Sequence, residues 1–256
     1  MKAIEAVQGF ERAGIISRRP GVGTSDWSHV LADATVDAVA ISTENTLHAR
    51  LAREALEAGK HVLCDYPLAF SLAEAESLLK LAVQKNRILH VEHIGLLASS
   101  HTLAAREIVR LGGLNRGEYH FEGDWSGKWS NPDFAGPLPF IAYSRLLQVA
   151  EWFGPFAVAS SEFRADAHEF FIHLRIHFTA GGTLDFFEVR KPNIDRKRWM
   201  EASLDGGLLS WHPQYESEGL FGKDLARFRE RVVSNADPYY RNNLMLHCLA
   251  VLERIS

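Results

Sequence analysis

Four short polar groups in this sequence carry the residue types that could do chemistry. The first is Ser17-Arg18-Arg19. Two guanidiniums beside a hydroxyl suit a phosphate dianion, because each arginine offers a planar fork of charged donors. A solvated basic turn is the bland alternative. The second group is Thr43-Glu44-Asn45 with His48. These would face the ribose and nicotinamide of a dinucleotide, or else cap a helix and leave His48 on the surface. The third is Asp65-Tyr66-Pro67, an acid, a phenol and a proline closing the run His-Val-Leu-Cys. The fourth is His90-Val-Glu92-His93. On a strand His90 and Glu92 share one face and His93 takes the other. One carboxylate and two imidazoles allow a metal site, yet a polar pocket wall or a hydrogen-bonded core histidine is the commoner outcome, so no metal is expected.

The elements that must position these groups are legible from periodicity. Residues 1–8 read as the tail of a helix stopped by Gly9, and 10–17 as a strand. Residues 27–32 form a short helix capped by Ser25 or Asp26. Residues 36–42 form a short apolar strand of the parallel-sheet kind. In residues 47–58, Leu47, Leu51, Ala55 and Ala58 share one helical face, and Gly59 is the stop. Residues 61–65 are the next strand. Ser71-Leu-Ala-Glu74 is a capping box opening a helix to about residue 85, and 87–92 is another strand. Residues 10–93 thus alternate strand and helix, which means a parallel sheet with right-handed crossovers. Each polar group falls at a strand's carboxyl end, where such sheets bind ligands. At the second strand's end an arginine accommodates the extra phosphate of NADP where an acid would bind the ribose of NAD. That makes the phosphate reading of Ser17, Arg18 and Arg19 the better one.

The second half differs. A helix over 101–111 ends at Gly112-Gly113, a strand covers 117–125, residues 126–139 read as a loop, and 140–153 form a helix ended by Gly154. Strands follow over 156–164, 169–178, 183–190, 198–204 and 208–211. Ile172, Leu174, Ile176 and Phe178 alternate with His173, Arg175 and His177, as in a sheet with one buried face. The histidine-bearing face reads as solvated surface, or as a surface for substrate or partner. Ala180-Gly-Gly182 is a hairpin turn. Helices over 223–233 and 238–255 close the sequence. The expected domains are 1–95, an α/β dinucleotide-binding unit of Rossmann type, and 96–256, an α+β unit with a large, mostly antiparallel open sheet and C-terminal helices.

Bulk composition narrows the class. The net charge of -4 argues against a nucleic-acid partner, which calls for a basic face. No apolar run nears the roughly 18 residues of a membrane span, and no signal peptide is visible. Two cysteines build no secreted disulfide framework, so a reducing, cytoplasmic setting is the default. Oligomeric state is not written in the sequence.

Residues 61–97, with HVLCDYPLAFSLAEAESLL and ILHVEHIGLL, resemble the biliverdin reductases of the biliverdin IXα type. These belong to the wider glucose-fructose oxidoreductase and inositol dehydrogenase superfamily. That superfamily usually carries Glu-Lys-Pro where this chain has Asp65-Tyr66-Pro67, and biliverdin reductases carry Glu-Tyr-Pro, so Tyr66 is the discriminating residue. The His-x-Glu-His run, the Ser-Arg-Arg run and a Phe-x-x-Pro…Ser-Arg pattern over residues 134–145, with one extra residue of spacing, also match. The resemblance implies an NADPH-dependent reduction (NADH being possible) of biliverdin to bilirubin, by hydride transfer to the central methine carbon. It implies that Arg145 holds the bilin and assists protonation of a pyrrole nitrogen by positioning water or stabilising charge, since a guanidinium rarely releases its proton. It implies that Tyr66 bonds the pyrrole or lactam edge, that Asp65 and Glu92 are pocket acids, and that His93 and Ser144 adjoin the bilin.

Two departures stand out. Asp65 is a methylene shorter than the family's glutamate, and Gly95 stands where some members carry another acid. A dinucleotide fold also opens with a strand and a Gly-x-Gly-x-x-Gly turn that binds pyrophosphate. This sequence begins inside the helix expected after that turn, and Gly21-Val-Gly23 does not replace it. The expectations are therefore a fragment of an active enzyme, or a chain that binds cofactor poorly. The competing functions are a sugar or polyol dehydrogenase, disfavoured by the absent lysine, and a non-catalytic bilin- or protein-binding member.

Overall fold

The computed structural model describes residues 7–17, 19–213, 216, 219–235 and 242–255. Two compact units emerge. The first gathers the chain up to Ala69, the span Ala73–Ile94 and a helix from far along the sequence; the second holds most of the remainder. The break after Ile94 falls where the sequence changes character, but the late helix joins the first unit rather than the second.

The first unit contains α1 (Trp27–Ala32), β1 (Ala38–Ile41), α2 (His48–Glu57), β2 (His61–Cys64), α3 (Leu72–Gln84) and β3 (Leu89–Val91). The Asp26 side chain caps α1 by accepting from the His29 amide at 2.8 Å. The strands lie side by side in the order β1-β2-β3, all parallel. In α2 the buried residues are His48, Ala52, Ala55 and Leu56, one stripe at helical spacing. Two right-handed crossovers in the same direction put α2 and α3 on one face of the sheet. On the other face Leu63 and Ile88 form a core with Leu225 and Phe228 of α7 (Leu220–Ser234), joined by Val7, Phe10, Ala38 and Val232. Each fully buried side chain of this kind stabilises the unit by about 1.5–3 kcal/mol.

Residues 10–17, expected as a strand, belong to no ladder, and most are exposed. Their recorded backbone bonds are local: the amides of Thr24 and Ser25 both donate to the Ile15 carbonyl. A strand exists only where a neighbour takes its hydrogen bonds in series, and the bonds to Thr24 and Ser25 gather at Ile15 alone, which makes a turn and not a ladder.

The second unit holds α4 (Ser99–Leu111), β4 (Leu114–Asp124), α5 (Pro132–Ala135), α6 (Tyr143–Phe153), β5 (Phe156–Ala165), β6 (Phe170–Phe178), β7 (Thr183–Lys191), β8 (Lys197–Leu204), β9 (Gly207–Trp211) and α8 (Asn242–Ile255). Its six-stranded sheet runs β5-β6-β7-β4-β8-β9. Only β4 and β7 pair in parallel; every other pair is antiparallel. Ile172, Leu174 and Ile176 are fully buried, as the alternation required. The opposite face is solvated as expected at Arg175 and His177, which are exposed, while His173 is half-buried. The His173 ring stacks on Phe187 with centroids 4.4 Å apart, and its Nε2 lies 2.8 Å from Asp185, which Arg175 also engages. Gly182 supplies the β6–β7 turn at φ 84°, and a Cβ there would come within 2.1 Å of the Leu114 carbonyl oxygen. The segment 126–139, expected as loop, winds into a 3-10 turn (Gly127–Ser130) and the short α5. Pro132 at its first turn and the Asn131 side chain, which accepts from the Asp133 amide, favour that helix over coil.

Candidate active site

The parallel register of the first unit decides which polar residues meet. Ile41 pairs with Cys64, and Cys64 with Val91. The three strands therefore end level, and the next residues of each emerge together: Ser42-Thr43-Glu44, Asp65-Tyr66-Pro67 and Glu92-His93. The ladder reaches one residue further. The Asp65 amide donates to the Ile41 carbonyl at 2.9 Å, and the Glu92 amide to the Cys64 carbonyl at 2.8 Å. Side chains continue the row, with the Ser42 hydroxyl donating to Asp65 Oδ2 at 2.6 Å. Ser42 was not singled out from sequence, although it stands one residue past a legible strand.

Glu92 is 4% exposed. Its Oε1 accepts from the Ile94 amide at 2.9 Å. Burial, reinforced by the negative charges of Asp65 and Asp224, pushes its carboxyl up to about 8 against the opposing pull of that amide. At neutral pH Glu92 therefore keeps its proton and can donate it. The Tyr66 and His93 rings lie parallel within 8°, stacked with centroids 6.2 Å apart at the ends of β2 and β3. The Tyr66–Pro67 peptide is cis.

His90 faces away from this row into the unit's interior. Its Nε2 lies 3.1 Å from Asp224 and its Nδ1 2.9 Å from Arg231 Nη1, both on α7. The arginine can only donate, so Nδ1 accepts and Nε2–H donates to the carboxylate. His90 is thus a hydrogen-bonded core histidine, the reading preferred from its sequence. His48, expected beside the cofactor, is fully buried at the start of α2, with Nδ1 2.9 Å from the Pro67 carbonyl. Thr43 donates to Glu44 at 2.5 Å. Ser17 and Arg19 stand near the surface, the Ser17 hydroxyl oxygen accepting from the Arg19 amide at 3.1 Å. Arg18 lies outside the described residues.

Arg145 and Ser144 belong to the second unit, on α6. Arg145 is buried, and its fork closes on the fully buried Glu188 of β7: Nε to Oε2 at 3.0 Å and Nη2 to Oε1 at 2.9 Å. Nη2 also donates to the Ile141 carbonyl, and Nη1 to Ser144 Oγ at 2.9 Å. A guanidinium has five N–H groups, so this bonding leaves one on Nη1. Arg190 shares Glu188 at 2.6 Å, and Arg145, Arg190 and Arg196 all lie about 5 Å from the Phe121 ring. One carboxylate against two guanidiniums leaves the cluster net positive. Glu188 and Arg190 were missed from sequence. The signal was there, since both continue the inward-facing period of Leu184 and Phe186 on β7. Behind them, burial pushes the Tyr119 phenol up to about 12, and its hydroxyl donates to Gln148 at 3.1 Å.

The donor set suits a nicotinamide dinucleotide. Level strand ends of a parallel sheet offer hydroxyls and acids (Ser42, Thr43, Glu44), and Ser17 with Arg19 offers a hydroxyl and a cation for a phosphate. When bound, such a group supplies or accepts a hydride.

Comparisons with known proteins bear on the family and the fold. Residues 8–93 match the oxidoreductase family with the NAD-binding Rossmann fold. Biliverdin reductase A of Homo sapiens is 28% identical over 253 residues, covering 94% of this chain and 84% of that protein. Levoglucosan dehydrogenase of Pseudarthrobacter phenanthrenivorans is 33% identical, but over only 47% of this chain and 31% of its own length. Among solved structures, a biliverdin reductase from Synechocystis sp. PCC 6803, in complex with biliverdin and NADP+, superposes with a TM-score of 0.77. It is 24% identical and matches 91% of this chain and 82% of its own, which shows the shared fold. Residues 8–93 are thus a domain of this oxidoreductase family, and the chain is an NAD(P)H-dependent oxidoreductase related to the biliverdin reductases.

Proposed function

We propose that the chain reduces biliverdin to bilirubin with NADPH, one hydride going to the central methine carbon and one proton to a pyrrole nitrogen. The observation that carries this reading is Glu92 just past β3, an acid that holds its proton at neutral pH, with the stacked rings of Tyr66 and His93 at the same strand ends. Similarity to biliverdin reductase A along nearly the whole chain supports it. A flat conjugated tetrapyrrole packs on parallel rings, and its reduction needs a proton donor. Glu92 supplies that proton, while Asp65, held by Ser42, keeps a negative charge nearby. Tyr66 donates its phenol to the lactam or pyrrole edge. Ser17, Arg18 and Arg19 receive the 2′-phosphate, which selects NADPH over NADH, and Thr43 and Glu44 border the ribose. Within the second unit, Arg145 and Ser144 belong to the net-positive cluster on Glu188, whose charge suits a carboxylate.

The test is direct. The purified chain is mixed with NADPH and biliverdin, and bilirubin absorbance is followed. Bilirubin formation that falls at least tenfold in Tyr66→Phe is the expected result. Turnover of sugars or diols without bilirubin would replace this reading by a polyol dehydrogenase, and bilin binding without turnover by a carrier.

A further inference from the structure

His48 is the second buried histidine of the first unit, and the proposed reaction has no use for it. Its side chain is fully buried. Its Nδ1 lies 2.9 Å from the Pro67 carbonyl oxygen, which only accepts; the ring proton therefore sits on Nδ1. Its Nε2 is also buried and has no hydrogen-bond partner among the described residues. An imidazole engaged through one nitrogen alone is a poor way to fill a core, and its single bond goes to the turn that carries Tyr66.

That turn is held on both sides of the phenol. Before Tyr66, the Asp65 amide is tied to β1 through Ile41, and the Asp65 carboxylate to Ser42. After it, the Pro67 carbonyl is tied to His48 at the start of α2, and Leu68 and Ala69 enter the core. We propose that His48 is a positioning residue: it fixes the Asp65–Pro67 turn and so aims the Tyr66 ring, rather than binding the cofactor. This rests on the reading of Tyr66 as a substrate contact. It assigns to α2 a role in substrate orientation beyond its packing on the sheet.

Three variants and the unaltered chain test it. Asparagine places an amide N–H where Nδ1–H stands; alanine and the space-filling leucine remove the donor. NADPH affinity, read from nicotinamide fluorescence, should stay within about twofold in all three. Bilirubin turnover at saturating biliverdin should fall about tenfold or more in His48→Ala and His48→Leu and recover in His48→Asn, as misplacement of a reacting contact does. In a Tyr66→Ala background the loss from His48→Leu should vanish, since coupled residues are not additive. The ring resonances of 13C-labelled Tyr66, assigned through Tyr66→Phe, should shift or broaden in His48→Leu and not in His48→Asn. A tenfold or greater loss of NADPH affinity in His48→Asn or His48→Leu with Tyr66 resonances unchanged would make His48 a cofactor ligand and overturn the proposal. Should the unaltered chain make no bilirubin, the proposed function fails by itself, and the Tyr66 resonances still decide the role of His48. Should the donor-less variants not fold, long-range 1H–15N spectra of the unaltered chain decide it: a His48 ring without a proton on Nδ1 overturns the proposal.

Discussion

Glu92 couples folding and chemistry through one proton. Its carboxyl is raised from an ordinary 4.5 to about 8 by burial and by two nearby negative charges. In the unfolded chain it ionises above about pH 4.5; in the folded chain it stays neutral up to about pH 8. Above pH 4.5 the unfolded state therefore binds fewer protons. The sign follows: Glu92 opposes folding progressively as pH rises from about 4.5 to about 8, by a few kcal/mol in all, and the effect then levels off. Glu92→Gln, which stays neutral, should flatten the stability–pH curve over that window, as read by urea denaturation at fixed temperature. The same variant should lower bilirubin turnover about a hundredfold, because an amide holds no transferable proton. In the unsubstituted chain turnover should decline above about pH 8, where Glu92 ionises. At this scale the sequence was legible where period two applied. It put Glu92 and His90 on one strand face and Asp65 at a strand end. It could not show that His90 is engaged by Asp224 and Arg231, because those partners lie some 130 to 140 residues away and only the fold brings them close.

Elements explain why Arg145 is harder to read than Tyr66. Tyr66 sits just past a strand whose register is fixed by its neighbours. Arg145 sits inside α6, and its fork closes on Glu188 of β7. A motif match marks Arg145 as important without distinguishing a substrate contact from a buried ion pair. The structure places that fork in a buried, bidentate pair with Glu188. Removing Glu188 leaves two buried guanidiniums facing each other without a counter-charge. Glu188→Ala should therefore lower unfolding free energy by about 3–5 kcal/mol, measured by chemical denaturation. Arg190→Ala should be milder, because Glu188 keeps its bidentate bond to Arg145. The sheet elements were legible because Ile172, Leu174 and Ile176 alternate without interruption. Residues 10–17 were misread as a strand because apolar character signals extension, while a ladder also needs a partner.

The whole molecule is less sequential than its sequence. A break near residue 95 is visible in the change from alternating helix and strand to successive strands. The placement of α7 is not visible, since an amphipathic helix carries no address for the face it will cover. Its Leu225 and Phe228 close the core over Leu63 and Ile88, more than 130 residues earlier. Phe228→Ala should destabilise the first unit by about 3–5 kcal/mol, seen as an earlier thermal transition monitored through NADPH protection. The return of α7 to the first unit also bears on biosynthesis. A ribosome delivers the amino-terminal side first, so β1, β2 and β3 leave the exit tunnel with one apolar face uncovered. At about 5–20 residues per second, that face waits several seconds or longer for the helix that shields it. Closing so distant a contact is intrinsically slow, and during that interval the nascent sheet is a natural client for chaperones.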